Sequence, residues 1–379
     1  MTTHSAIIEE VKNNTVSSSH AKEYNKIKLV LSLSETVLSF LFTVVLLVSG
    51  FTLRIEALAY SFTQSSYIAL FIFGGIIGVC NGVLTFPLSF YSSFMLEHKY
   101  NLSNQTFLQW LWERVKGMFV ALPIMVPLGL IFYYFLVTFH NTWWLPVALT
   151  LFFFSIVLSR LAPVFIMPLF YKFVAIEEGN LKEKILALTK ETSMRVEGIY
   201  TFNLSKTTKK ANAACTGIGK SKRIILGDTL VEKFSEDEIE VVFAHELGHY
   251  THGHIWKGIL VGTVSIFLGL FLTAQLYSLS LAWFGFTSLA QLAALPLLTL
   301  WLGLYSVITL PLSNILSRKH EYEADRYAVE RTQKKNVFAS AMNKLAAMNL
   351  ADTTPHPLIE FLLYSHPSIE KRIAATEKL

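Results

Sequence analysis

Four long stretches of the chain contain no Asp, Glu, Lys or Arg: residues 36–53, 57–96, 117–159 and 258–317. A helix needs about 20 predominantly apolar residues to cross a bilayer. The first stretch fits one span, and each of the others fits two spans or one span with flanks. His140, Asn141 and Thr142 interrupt the third stretch, and residues 284–288 interrupt the fourth. The pattern predicts six spans, over about 29–53, 67–91, 118–139, 143–166, 257–283 and 289–316. Pro123, Pro127, Pro146 and Pro311 fall inside them, where neighbouring helices must accommodate the carbonyls that proline frees.

Residues 171–256 form the larger polar block between spans. Residues 180–193 carry helical periodicity. Residues 198–204 and 223–231 are β-branched and aromatic runs bounded by turn residues and read as strands, with 212–217 a candidate third. Ser235-Glu236-Asp237-Glu238 is a helix start, followed by apolar positions at helical spacing as far as Tyr250. Residues 1–28 are polar and lack a basic start followed by an apolar core, so they read as a mobile tail and not as a signal peptide. The expected organisation is a polar tail (1–28), a membrane domain of four spans (29–166), a polar segment (167–256), two further spans (257–316) and a C-terminal polar segment (317–379). The fold class is mainly α and polytopic, with an α+β domain split around the last two spans.

Composition agrees with this pattern. Charged residues make up 16% of the 379, and hydrophobic residues 53%, whereas soluble domains carry about a quarter charged residues. The lipid bilayer is thus the first partner implied. The net charge of +5 is modest and no basic tract points to nucleic acid. Six spans return both termini to one side. Of all Lys and Arg, only Arg54 lies on the three short connections facing the other way. Lys and Arg accumulate on the cytoplasmic side, so the polar segments and both termini are expected there, with the sequons at Asn13, Asn101, Asn104 and Asn203 unmodified. Cys80 and Cys215 stand in no metal or redox pattern and read as ordinary thiols.

The chemistry is concentrated in Val241-Val242-Phe243-Ala244-His245-Glu246-Leu247-Gly248-His249. Two histidines four apart share one face of a helix, so both imidazoles can reach one zinc ion. Glu246 between them can take the proton of the attacking water. This is the His-Glu-x-x-His pattern of zinc proteases, and the small Gly248 suits a helix packed tightly at the metal. A third ligand is expected from the helix that follows the last span, Glu321-Tyr322-Glu323-Ala324-Asp325. Glu321 and Asp325 share a face, which suits Glu321 as ligand and Asp325 as acceptor of a ligand histidine's other N–H. Glu323 is expected to point elsewhere, into solvent. Two histidines and one glutamate leave a coordination position for water. His252 lies at a spacing that does not exclude it as a ligand, although an interfacial role fits it better. His254 begins the fifth span and is expected to hydrogen-bond at the membrane surface.

With these residues in place, the chain resembles the CAAX prenyl protease 1 family, the type I CAAX endopeptidases, from about residue 21 to the C-terminus. The similar residues are Glu97 and Asn104-Gln105-Thr106, the run Pro168-Leu169-Phe170-Tyr171-Lys172-Phe173, Asn180-Leu181-Lys182, Asn212-Ala213, the run GIGKSKRIILGDTL that begins at Gly217, the His245 motif, Ser317-Arg318 through Asp325, and Ser365-His366-Pro367. The resemblance implies a membrane zinc endopeptidase with a zincin-like domain, one Zn2+ per chain, and helices enclosing a water-filled chamber. It further implies that Asn212 contacts substrate backbone, that His366 lies near the scissile carbonyl, and that Arg372, in the place of a basic residue, binds substrate with Asn212. Without the resemblance, Asn212 reads as a turn residue, His366 as a helix-start residue and Arg372 as a surface charge. The substrate class implied is a peptide or protein, lipidated or membrane-embedded. Eukaryotic members have seven spans against six here, the family's first being the one missing. The chain looks bacterial, which would place it in the inner membrane. The rivals are a stress-type quality-control metalloprotease, whose chains are shorter, and a non-catalytic protein that has kept the fold, which the intact His245, Glu246, His249 and Glu321 argue against.

Overall fold

The computed structural model describes residues 2–190, 192, 194–217 and 221–379, apart from the side chains of 2–18 and 221. The chain opens with α1 (Thr2–Val48), α2 (Phe51–Phe62) and α3 (Ser66–Phe90). A π-helical turn leads into the short α4 (Leu96–Lys99), then come α5 (Phe107–Phe139), α6 (Trp144–Leu161) and the short α7 (Met167–Phe170). The first polar segment holds β1 (Phe173–Ala175), α8 (Asn180–Thr189), β2 (Arg195–Phe202), β3 (Ala213–Thr216), β4 (Ser221–Gly227), α9 (Asp228–Lys233) and α10 (Glu236–Thr251). After it come α11 (His254–Ser280), α12 (Leu295–Thr332), α13 (Lys335–Asn349), α14 (Pro357–Leu363) and α15 (Ile369–Glu377).

Six helical stretches among the described residues are long and apolar enough to cross a membrane, from Ser19–Val48 to Leu292–Thr332. Each takes up most of one expected span. The first ends five residues sooner than expected, because Gly50 takes a left-handed φ of 69° and turns the chain into α2. Glu56 of α2 then accepts hydrogen bonds from the Leu292 amide and the Gln291 side chain, fastening the connection between α11 and α12. At the other end of α1, the segment read as a tail is helical over residues 19–28. Ala21 and Tyr24 are buried there. Tyr24 and Lys28 both bind the Glu97 carboxylate, which Lys210 joins from the polar segment at 2.8 Å.

The four strands lie in the order β1-β2-β4-β3. β2 and β4 run parallel, the outer pairs antiparallel, and β3 is an edge strand. The strand expected over 223–231 stops at Gly227, because the Asp228 carboxylate accepts the amides of Thr229 and Ser205 and starts α9. The helix expected over 180–193 ends at Thr189. Residues 191 and 193, and residues 218–220 of the run that begins at Gly217, lie outside the described residues. One face of the sheet, with Ile199, Ile224 and Leu226, packs on Ile185 of α8, Phe243 and Leu247 of α10, Ala328 of α12 and Phe338 of α13. Ser235 caps α10 in a reciprocal box with Glu238, as the Ser-Glu-Asp-Glu pattern predicts.

α12 is the element that joins membrane and site. Its 38 residues make a rod of about 57 Å at about 1.5 Å per residue. It passes without a break from the last expected span into Glu321 and Asp325. The expected boundary at 316/317 thus falls within one continuous helix.

Candidate metal centre

Gly248 decides how closely α10 and α12 cross. A Cβ there would lie 3.0 Å from Ala324 Cα and 3.1 Å from Ala324 O. The bare glycine lets the two backbones meet, and the faces bearing His245, His249 and Glu321 converge. His245 Nε2 and His249 Nε2 are 3.1 Å apart. Glu321 reaches them with Oε2 at 3.5 Å and Oε1 at 3.3 Å respectively. Single donor atoms from the three residues all lie within 4.8 Å of one another. Two imidazoles and a carboxylate so placed suit a divalent first-row cation. Three carboxylates (Glu246, Glu321 and Asp325) face one guanidinium there, an excess of negative charge that a cation offsets. Burial disfavours a charge on His249, yet Glu321 and Glu246 outweigh it and raise the pKa of this ring. A metal cation would take the place of that proton.

Asp325 is fully buried, and its Oδ1 lies 2.9 Å from His245 Nδ1. It thus meets one histidine of the cluster, but it also has a second partner. Arg372 of α15 grips it through Nε at 2.8 Å and Nη2 at 2.6 Å, and extends Nη1 to Glu321 at 3.2 Å. The reading of Arg372 as a surface charge is corrected by its burial: only 7% of the residue is accessible. Arg318 donates to the carbonyls of Glu360, Phe361 and Tyr364 at the end of α14. Together with Asn314, which donates to Leu362 O, it fixes the turn that carries His366. His366 Nδ1 then stands 3.3 Å from Glu321 Oε1, with its ring 64% exposed to the cleft.

A cavity of about 270 Å³ opens in front of these groups, lined by Glu246, His366 and Arg372 on one side and by Asn212 and Ala213 on the other. Asn349 holds the entry to β3 by bonding both the amide and the carbonyl of Ala211. The Asn212 carbonyl accepts the Gly227 amide, and the Asn212 side chain is exposed. Beside it, burial pushes the Cys215 thiol up to about 12, which makes this cysteine a poor nucleophile.

His252 lies outside the cluster. Its Nδ1 bonds the Gly248 carbonyl and its ring stands against Tyr327. Two further residues, whose contact with the site the sequence does not signal, join it. His254 Nδ1 lies 3.0 Å from His249 Nδ1, and Glu323 lies 2.9 Å from His254 Nε2. Glu323 is accordingly engaged and not free in solvent. On a continuous helix, five residues place two side chains about 140° apart. Here Gly253, at φ 66°, ends α10 and turns the chain back, a contact that no periodicity signals.

The sequence model of the peptidase family M48 matches residues 175–379. That covers more than half of the chain and every residue of the cluster. The chain belongs to peptidase family M48. A second model, described as the CAAX prenyl protease N-terminal domain with five membrane helices, matches residues 5–172. Among relatives, the Bacillus subtilis protein named uncharacterized metalloprotease YhfN is 31% identical over 94% of this chain and 85% of its own length. CAAX prenyl protease 1 of Saccharomyces cerevisiae is 31% identical over 80% of this chain and 71% of its own. The crystal structure of S. mikatae Ste24p superposes with a TM-score of 0.85 at 27% identity, covering 95% of this chain and 89% of that one. This M48 chain is therefore a membrane metalloendopeptidase of the CAAX prenyl protease-like type, with a Ste24p-like fold and about six spans. Its family implies a metal ion and a peptide or protein substrate.

Proposed function

We propose that the chain is a zinc-dependent endopeptidase that hydrolyses peptide bonds of membrane-associated or CAAX-type substrates, with one Zn2+ held by His245, His249 and Glu321. The observation that carries this reading is the convergence of three donor atoms within 4.8 Å of one another, with Glu246 on the same helix facing the cavity. Zinc held there would lower the pKa of water to about 7 and polarise the scissile carbonyl. Glu246 accepts the proton of the attacking water and passes it to the leaving amine. The substrate lies extended along the outer edge of β3, which pairs on one side only with β4, so its amides are gripped with little sequence preference. Asn212 contacts that backbone. His366, open to the cleft, donates to the oxyanion as it forms, a contact of the kind worth about 3 kcal/mol. Asp325 holds His245 by its Nδ1–H, and Arg372 holds Asp325 and Glu321.

The natural setting we infer is a bacterial inner membrane, with both termini and the catalytic segments cytoplasmic, because Arg54 is the only Lys or Arg on the opposite connections. No nucleic acid partner is proposed. The decisive experiment is Glu246→Gln. This variant should retain one zinc per chain and lose proteolysis, because an amide cannot accept the proton. His245→Ala, His249→Ala and Glu321→Ala should each lose zinc as well. Full cleavage by Glu246→Gln, or normal zinc binding by Glu321→Ala, would overturn the assignment.

A further inference from the structure

His249 turns Nε2 toward His245 and Glu321. Its Nδ1 faces His254 Nδ1 at 3.0 Å, and His254 Nε2 faces Glu323 Oε2 at 2.9 Å. His254 is buried, with its ring stacked on His320 at 4.0 Å between centroids. Neither His254 nor Glu323 lines the cavity in front of the cluster. We infer that Glu323 and His254 are positioning residues, a relay that sets which ring nitrogen of His249 is free to bind the metal. The inference rests on the zinc site proposed above and deepens it.

Donor and acceptor roles give the relay its direction. An ionised carboxylate only accepts hydrogen bonds, and a neutral imidazole donates from one nitrogen and accepts at the other. Glu323 therefore draws the His254 proton to Nε2. His254 Nδ1 is left as an acceptor, and among the described residues His249 Nδ1 faces it at 3.0 Å. His249 must then carry its proton on Nδ1, which leaves the Nε2 lone pair aimed at the cluster. Without the acceptor at His254, both tautomers of His249 become accessible, and the one protonated at Nε2 has no lone pair there for a cation. Lys257 and Lys319 also approach Glu323, with Nζ at 3.7 Å and 3.9 Å. His245 is served in parallel by Asp325. Each ligand histidine thus has its own acceptor, one from α12 directly and one through α11.

The alternative is that His254 merely fills space against His320. Two substitutions separate these roles because they are expected to rank in opposite orders. His254→Phe keeps a stacked ring of similar size and removes the acceptor. His254→Asn loses the ring and keeps an oxygen near the position of Nδ1. The full chain, purified in detergent, is titrated with zinc against a competing chelator, and with Co2+ for its visible absorption. Expected are a 10–100-fold loss of zinc affinity in His254→Phe, with an altered Co2+ spectrum, a similar loss in Glu323→Leu, and recovery toward wild type in His254→Asn. Wild-type affinity and spectrum in His254→Phe overturn the relay. So does a His254→Asn variant that binds zinc more weakly than His254→Phe. A wild-type chain that binds no zinc would overturn the metal-site reading itself and the relay with it, whereas intact wild-type binding with an indifferent His254→Phe overturns the relay alone.

Discussion

Arg372 holds two carboxylates at once, and the strength of its grip depends on burial. Its two bonds to Asp325 form the planar fork that a guanidinium makes with a carboxylate. Both side chains are out of solvent, so removal of one partner strands the other. Breaking a buried pair in this way costs about 3–5 kcal/mol, whereas an exposed pair contributes at most about 1 kcal/mol. Asp325→Asn keeps an acceptor for His245 and should weaken zinc binding and cleavage by about 10–100-fold. Asp325→Ala leaves both His245 and Arg372 without it, and should lose more metal and melt at a lower temperature. Zinc content at matched free zinc, with a thermal melt of each variant, checks the order. Wild-type values in both would remove Asp325 from the site.

At the scale of elements, the site depends on how α10 is seated. Gly248→Ala would push a methyl group against the α12 backbone at Ala324, where no flexible side chain can yield. Overpacking of this kind typically costs about 1–3 kcal/mol, and the same displacement separates His249 from Glu321. The expected result is a lower melting temperature together with a loss of bound zinc, whereas Gly258→Ala, with open space around its Cβ, should leave both unchanged. The first turn of α10 is tied differently. Asp237 accepts from Lys184 of α8 and Lys334 ahead of α13, each at 2.8 Å, and these two ammonium groups lower its pKa from 3.8 to about 2. A carboxyl depressed on folding stabilises the fold above its unfolded pKa and loses that contribution as pH falls through the folded value. Asp237→Asn should therefore lower the melting temperature at pH 6, and the gap to wild type should narrow between about pH 4 and pH 2. A gap that stays constant with pH would show that the contact is not ionic.

For the molecule as a whole, the metal should act as a clasp between a membrane helix and the sheet domain. α10 belongs to the polar segment, and α12 rises out of the last span. Bound zinc would stabilise only the folded chain, by an amount set by its concentration relative to its dissociation constant. Removal of zinc with a chelator should lower the melting temperature, and added zinc should restore it. On the proposed ligand set, the melting temperature of His245→Ala should not respond to the chelator. The orientation is tested separately. Single cysteines at 141 and 286, in a background lacking Cys80 and Cys215, should be labelled from one side of the membrane, and those at 102 and 376 from the other. Labelling of 102 and 286 from the same side would overturn the proposed topology.

The sequence alone determined the spans and the core of the cluster, because both follow from local spacing. About twenty apolar residues are long enough to cross a bilayer wherever they occur, and two histidines four apart share a helix face wherever that helix packs. The same holds for Glu321 and Asp325 on one turn, and for the Ser235 cap. Tertiary structure decided what depends on the chain returning to itself. The burial of Arg372 needs α15 to fold back on α12, which Arg318 and Asn314 arrange through the end of α14. The place of His254 needs the left-handed turn at Gly253, since a continuous helix would carry it off the His249 face. Glu323 reads as a solvated charge in sequence because the partner that engages it lies 69 residues earlier in the chain. The helix over 19–28 has the same origin: polar by composition, it is held by Glu97 and Lys210, and no local pattern encodes contacts that distant.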